Sequence, residues 1–351
     1  MKKTTPLLPL FRQFIRDSQS GKRLKKNGER ITKKAIDNYR FTLKNVEGFI
    51  EETGFELRIC DASKLNKREL GSEKNYWKKF YKKFTTYLYK KGCYDNYVGH
   101  NIKQIRTFFN WLKYDKDLPT GDFQRLFYVR KEEVDILVLS PEQLKFLIHD
   151  KTFHNQLSPA LQRVKDVFVF GCTTGLRFSD IYQLTSRNFE KQNEEWYLKV
   201  KSKKTKTYSY IKLPNYAVDI YKNYKPKSTR QPVFGKISLF IFNRTLKCIG
   251  ERAGFTEPIA MTRERLGKAK NVSNQKQQRF CDKMSSHMMR RTAITTLLIL
   301  GMPEHLVRKI SGHSHASKSF NRYVHYAQVY IDNEIDKVHS KLESYNEEVA
   351  F

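Results

Sequence analysis

Arginine, histidine and tyrosine recur in the second half of the chain at positions where together they can act on one phosphodiester. Arg177 lies in GCTTGLRFSD, His287 and Arg290 in SSHMMRR, His313 in SGHS and Tyr323 in NRYVH. Attack on a DNA phosphodiester without a metal requires cations on the non-bridging oxygens, groups that move protons, and a nucleophile that stays attached. An arginine fork binds two phosphate oxygens at once, and loss of one preorganised donor in such sites costs roughly 3–4 kcal/mol. A phenol titrates near about 10, so a tyrosine nucleophile needs a cation or base beside it. A lysine on a hairpin can protonate the leaving 5′ oxygen, and two imidazoles can move protons or hold phosphate.

No single piece decides the chemistry. An HxxR pair recurs by chance in helices, a Gly-His before a helix is an ordinary cap, and any one of the 20 tyrosines is an ordinary structural residue. His313-x-His315 lacks a carboxylate or cysteine at ligand spacing, so it is not read as a metal site. The order and context of the set carry the signal.

The elements that must position these groups are mostly helices. The serine pair 285–286 precedes a helix on which His287 and Arg290 share a face. Ile294, Leu297 and Leu298 form its buried side, and Gly301 ends it. Pro303 starts the next helix, which stops at Gly312 just before His313, and Tyr323 follows on another. Upstream, Ser140-Pro141-Glu142-Gln143 combines an N-cap, a first-turn proline and a capping-box glutamine. Ser158-Pro159 opens a helix that runs to Gly171. EWYLKVK and TYSYIKL read as two strands joined by the lysine-rich turn SKKTK. Residues 262–283 read as a polar, basic loop.

The first third is also helical. Ile36, Tyr39, Leu43, Val46 and Ile50 recur at helical spacing, as do Tyr76, Phe80, Phe84 and Tyr87, and then Val98, Ile102, Ile105, Phe109 and Leu112. Aromatic stripes at this spacing read as core. Lysines 78, 79, 82, 83, 90 and 91 fall on the open face, where phosphate contact is available. Pro119 and Gly121 interrupt the pattern, placing a linker at 116–138. The expected fold is mainly α with a small antiparallel β-sheet. Its segments are a basic stretch at 1–29, a helical domain at 30–115, the linker, a domain at 139–335 and a tail at 336–351.

Composition points to a polyanionic partner. Among 351 residues, 67 Lys and Arg face 36 Asp and Glu, a net charge of +31, which favours nucleic acid through steering and counterion release. Five scattered cysteines without a CxxC argue against a disulfide framework or structural zinc. No apolar run reaches membrane-spanning length, and the N-terminus lacks a signal-peptide core. The expectation is a cytoplasmic, nucleoid-associated protein.

With these residues in place, the chain resembles the tyrosine recombinase (integrase) family of phages and mobile elements. TTGLRFSDIYQL, the strand-turn-strand with its lysines, HMMRRT followed by an apolar helix, ISGHS, and a tyrosine ten residues after His313 carry the resemblance over about 140–335. The helical region matches the family's core-binding domain by layout. The resemblance implies a C-shaped clamp on double-stranded DNA, attack by tyrosine, a 3′-phosphotyrosyl bond and a free 5′-hydroxyl that attacks a partner duplex. It implies no cofactor, neither ATP nor metal, because the covalent intermediate conserves the bond energy.

By the same resemblance, Arg177 and Arg290 bind phosphate, Tyr323 is the nucleophile, and His287 and His313 assist. Asp180 orients the site. Lys204 is the expected lysine, with Lys206 as the alternative, since aligning on IKLPNYA favours one and on Pro214 the other. The His313–Tyr323 gap is one residue longer than usual, which keeps Tyr326 as a second nucleophile candidate. A helix at 327–345 implies a tail that packs on a neighbouring subunit. The implied assembly is a homotetramer on paired sites and a monomer when free, with accessory DNA-bending proteins as further partners. Integration or excision of a mobile element is the leading role. DNA inversion, chromosome-dimer resolution, type IB topoisomerase activity and a catalytically silent DNA-binding protein are its rivals.

Overall fold

The computed structural model describes residues 4–203, 207–271, 278–314 and 317–348. The elements, in chain order, are β1 (Thr4–Pro6), α1 (Leu7–Ser20), α2 (Lys33–Thr53), β2 (Arg58–Cys60), α3 (Lys67–Lys90) and α4 (Asp95–Tyr114). Next come α5 (Pro141–His149), α6 (Lys151–Gln156), α7 (Pro159–Thr174), α8 (Phe178–Ile181), β3 (Phe189–Gln192), β4 (Glu195–Lys201) and β5 (Tyr208–Lys212). The rest are α9 (Asn215–Tyr224), α10 (Leu239–Arg252), β6 (Thr262–Arg265), β7 (Lys268–Asn271), α11 (Phe280–Lys283), α12 (Ser286–Ile299), α13 (Glu304–Ser311) and α14 (Lys318–Glu348). The chain is mostly helical with small antiparallel sheets. Among the described residues no helix is long and apolar enough to cross a membrane.

Two compact units divide the chain: Met1–Val134 with Met261–Val272, and Asp135–Ala260 with Ser273–Phe351. The first unit packs α1–α4 around an aromatic core that includes Phe11, Phe14, Phe49, Trp77, Phe80, Phe84, Phe108 and Phe127. The three helical stripes read from the sequence form α2, α3 and α4, and Asn66 with Glu69 closes a capping box at the start of α3. Residues 4–29, read as a basic stretch, also carry regular structure. Leu7, Phe11, Phe14 and Ile15 recur at helical spacing and are buried in α1, while β1 pairs with β2. The expected linker differs too: Phe123 and Phe127 sit in this core, so its first half is folded structure.

The sequence 262–271, read as loop, is a β-hairpin that completes the first unit. Its turn donates from the Leu266 and Gly267 N–H groups to Asp95, at 2.9 and 2.7 Å, and Tyr89 donates its hydroxyl to the same carboxylate. Glu132 accepts from Arg263 and from the Glu264 N–H. Burial alone would raise both carboxyl pKa values. The Tyr89 hydroxyl and hairpin amides on Asp95, and Arg263 with the Glu264 amide on Glu132, outweigh it and hold both below the ordinary range.

In the second unit α7 is the central buried helix, with Val167, Phe168, Val169 and Phe170 all enclosed. The Ser140–Gln143 capping box and Pro141 start α5 as the sequence predicts. β3, β4 and β5 form a three-stranded antiparallel sheet, one strand more than expected. The tail helix begins earlier than the 327–345 reading, because α14 runs unbroken from Lys318 to Glu348.

Candidate active site

Helix α7 ends at Gly175 in the left-handed conformation, φ +65°, which turns the chain so that Arg177 can precede α8. Arg177 donates through Nη1 to Ser202 Oγ at 3.1 Å, and Ser202 donates to Asp180 Oδ2 at 3.2 Å. Asp180 also accepts from the Lys203 N–H at 3.3 Å. The buried carboxylate therefore ties the base of the β4–β5 turn to Arg177 through a serine. Lys204 and Lys206, the two lysine candidates, lie outside the described residues.

Arg290 is held on α12, whose first N–H is capped by Asn243 from α10 (Ser286 N to Oδ1, 2.8 Å) rather than by the serine pair. The residue is only 5% exposed. It donates to the carbonyl of Gly175 at 2.9 Å and to that of Ser311, and lies 3.3 Å from His313 Nδ1. Among the described residues no carboxylate reaches ion-pair distance. Burial, and then the positive charge of Arg177, bring its pKa down to about 10, which leaves it cationic at neutral pH. Two guanidiniums are thus close enough to oppose each other, and among the described residues neither is in ion-pair contact with a carboxylate.

His313 follows Gly312, the left-handed cap of α13 at φ +61°. A Cβ there would lie 2.8 Å from Thr207 Oγ1, so only glycine brings the turn this near the β4–β5 connection. Ser311 Oγ is 2.8 Å from His313 Nδ1. Burial lowers the imidazole pKa to about 4, aided by Arg290, Arg177 and Arg308 in that order, so the ring is neutral at physiological pH.

Tyr323, on the second turn of α14, is buried at 7% exposure with its ring centroid 6.1 Å from that of His313. Its hydroxyl interacts with Arg291, whose own pKa is lowered by burial. Tyr326 is half-buried, with its phenol pushed up by burial, and has no such contact with His313. His287 is exposed on α12, one turn before Arg290. Thus the structure brings Arg177, Arg290, His313 and Tyr323 together, with Asp180 behind them and His287 on the adjoining helix face.

Sequence reasoning passed over Ser202, Ser311, Arg291 and Arg308. Ser202 and Ser311 flank motifs that were read, but a serine beside a turn carries no signal of its own. The pocket's surplus of positive charge beside a neutral imidazole and a phenol suits a phosphodiester. The phage integrase family model matches residues 138–329.

The chain belongs to the phage integrase family.

That family comprises tyrosine recombinases, which are DNA strand transferases, and this chain is one of them. The fold agrees along nearly its whole length. The XerH site-specific recombinase bound to palindromic difH substrate, a post-cleavage complex, superposes with TM-score 0.57 at 13% identity, covering 94% of this chain and 95% of that one. The Tn1549 transposon integrase with transposon right-end DNA gives 0.57 at 15% identity, with 95% and 100% covered. A lambda integrase dimer on a COC′ core site gives 0.56 at 11%, with 92% and 95% covered. No curated protein matches the sequence.

Proposed function

We propose that this chain is a site-specific recombinase of a mobile element, in which Tyr323 cleaves double-stranded DNA and holds it as a 3′-phosphotyrosyl ester. The observation that carries this reading is Arg290, a buried cation beside Arg177 with no carboxylate in contact among the described residues. A buried charge left without a counterion is costly, and a bound phosphate relieves that cost. Arg177 and Arg290 take the non-bridging oxygens of the scissile phosphate. Tyr323 Oη bonds to phosphorus as the bond to the 5′ oxygen breaks. The phenolic proton passes to one of the two imidazoles, His287 or His313, and the 5′ oxygen takes a proton from Lys204 or its alternative Lys206. Asp180 keeps Arg177 in place through Ser202. In the second step a 5′-hydroxyl from the partner duplex attacks the ester and releases the phenol.

The partner is double-stranded DNA, as in the XerH, Tn1549 and lambda complexes. A homotetramer on paired sites, accessory bending proteins and a cytoplasmic, nucleoid-bound location complete the proposal. The test is a nicked suicide duplex carrying the element's own end, with the trapped adduct mapped to its residue. The parent protein forms an adduct at Tyr323, and Tyr323→Phe forms none. An adduct mapped to Tyr326, or one that survives Tyr323→Phe, rejects the assignment. Relaxation of supercoiled plasmid lacking any such end would favour a type IB topoisomerase instead.

A further inference from the structure

His313 and Tyr323 must keep a fixed separation if one is to serve the phosphate that the other attacks. Tyr323 lies near the start of α14, which begins at Lys318. One side chain reaches a near neighbour of each residue. Arg308, 8% exposed on α13, donates through Nη1 to the Ser314 carbonyl at 3.2 Å, one residue after His313. Through Nη2 it donates to Asn321 Oδ1 at 2.9 Å, two residues before Tyr323. Nε donates to Glu304 Oε1 at 2.9 Å, which fixes the guanidinium plane to its own helix. The guanidinium carbon lies 4.0 Å from the centre of the Phe320 ring. That ring is in turn 5.3 Å from the His313 ring and 6.1 Å from that of Tyr323.

We propose that Arg308 is a positioning residue for strand cleavage: its fork and the Phe320 ring beneath it set the spacing between His313 and Tyr323. The inference rests on the reading of Tyr323 as nucleophile. A lysine cannot replace the fork, because a point charge on a flexible stem does not hold Ser314, Asn321 and Glu304 in one plane. Arg308 also has an electrostatic part. The charged and titratable groups that face the His313 ring are Arg290 from α12, Arg177 from the loop after α7, Arg308 from α13 and Tyr323 from α14. Removing one of three cations eases protonation of the imidazole.

Single-turnover cleavage of the nicked suicide duplex, followed from pH 3.5 to pH 9, separates positioning from simple support of the fold. Arg308→Gln should slow adduct formation by about 100-fold, the scale of a misplaced reacting group. DNA affinity should be unchanged, and the acid limb of the rate profile should move to higher pH. Arg308→Lys should restore the profile but not the rate. A folded Arg308→Gln protein that cleaves at the parent rate with the parent profile overturns the inference. So does one whose only defect is a smaller active fraction. If Arg308→Gln does not fold, Asn321→Ala decides: a slower rate with unmoved profile supports positioning, and a parent rate refutes it. Tyr323→Phe run alongside keeps the two readings apart, since an adduct surviving there sinks the nucleophile assignment, whereas an inert Arg308 leaves it standing.

Discussion

The second unit encloses a matched pair, Lys165 and Asp166 at 3.2 Å, but at Arg290 it buries charge in the opposite way to the first unit. In the first, buried Asp95, Glu132 and Glu73 are each closed off by donors: hairpin amides and Tyr89 for Asp95, Arg263 and an amide for Glu132, and a two-pronged Arg58 for Glu73 at 2.9 Å on each oxygen. In the second, Arg290 is buried against two carbonyls and a neutral histidine, with another arginine nearby. Desolvating an ion costs several kcal/mol, and a matched partner offsets much of that. The first unit carries its partners within the fold. At Arg290 no carboxylate among the described residues supplies a counterion, the gap that the proposed scissile phosphate would fill.

Substitutions at the two kinds of buried charge should therefore separate activity from stability. The largest effect belongs to Arg290→Gln. It should slow covalent adduct formation on the suicide duplex by roughly 1,000-fold while leaving urea stability near that of the parent. A collapse of stability would break the comparison. Glu132→Gln should do the reverse, lowering unfolding free energy by about 3 kcal/mol as a buried pair is broken. Its cleavage rate per folded molecule should match the parent at low temperature.

Acid should reach His313 before the buried carboxylates. The native His313 pKa is about 4, below the ordinary value near about 6.5. Between these values the unfolded chain binds the proton that the native state excludes. Stability therefore falls as pH drops through that window, by about 3 kcal/mol at most and by less once solvent screening of the partly exposed ring is counted. Asp95 and Glu132 have depressed pKa values, so their contribution is intact above the ordinary carboxylate range and is lost only below roughly pH 4. Calorimetry of the parent against His313→Gln should show the shallower acid slope in the variant. Equal slopes between pH 6.5 and 4 would remove His313 from this account.

How much was legible in the sequence follows the distance between partners. The Ser140–Gln143 box and the stripes of α2–α4 depend on neighbours within a turn, so spacing reveals them. Arg177, Arg290, His313 and Tyr323 could be proposed as a set because each sits in a short motif, and the fold needs only brief connections to bring them near one another. The hairpin 262–271 was not. Its partners, Asp95 and Glu132, are more than 130 residues upstream of it, and no local period announces them. Asn243 capping α12 escaped for the same reason. Residues 7–15 carried a helical apolar pattern that the flanking lysines and arginines obscured. Arg308 was one cation among many until Ser314, Asn321 and Phe320 were seen around it.

The hairpin also sets an order of events on the ribosome. Residues 4–134 emerge first, but the amides that satisfy Asp95 and the arginine that answers Glu132 come only with residues 261–272. At synthesis rates of roughly 5–20 residues per second, the nascent N-terminal portion waits on the order of 10 seconds for the strands that finish it. During that interval Asp95 keeps only the Tyr89 hydroxyl and Glu132 only the Asn96 amide among these donors, so the unit cannot be completed before most of the catalytic sequence has been translated.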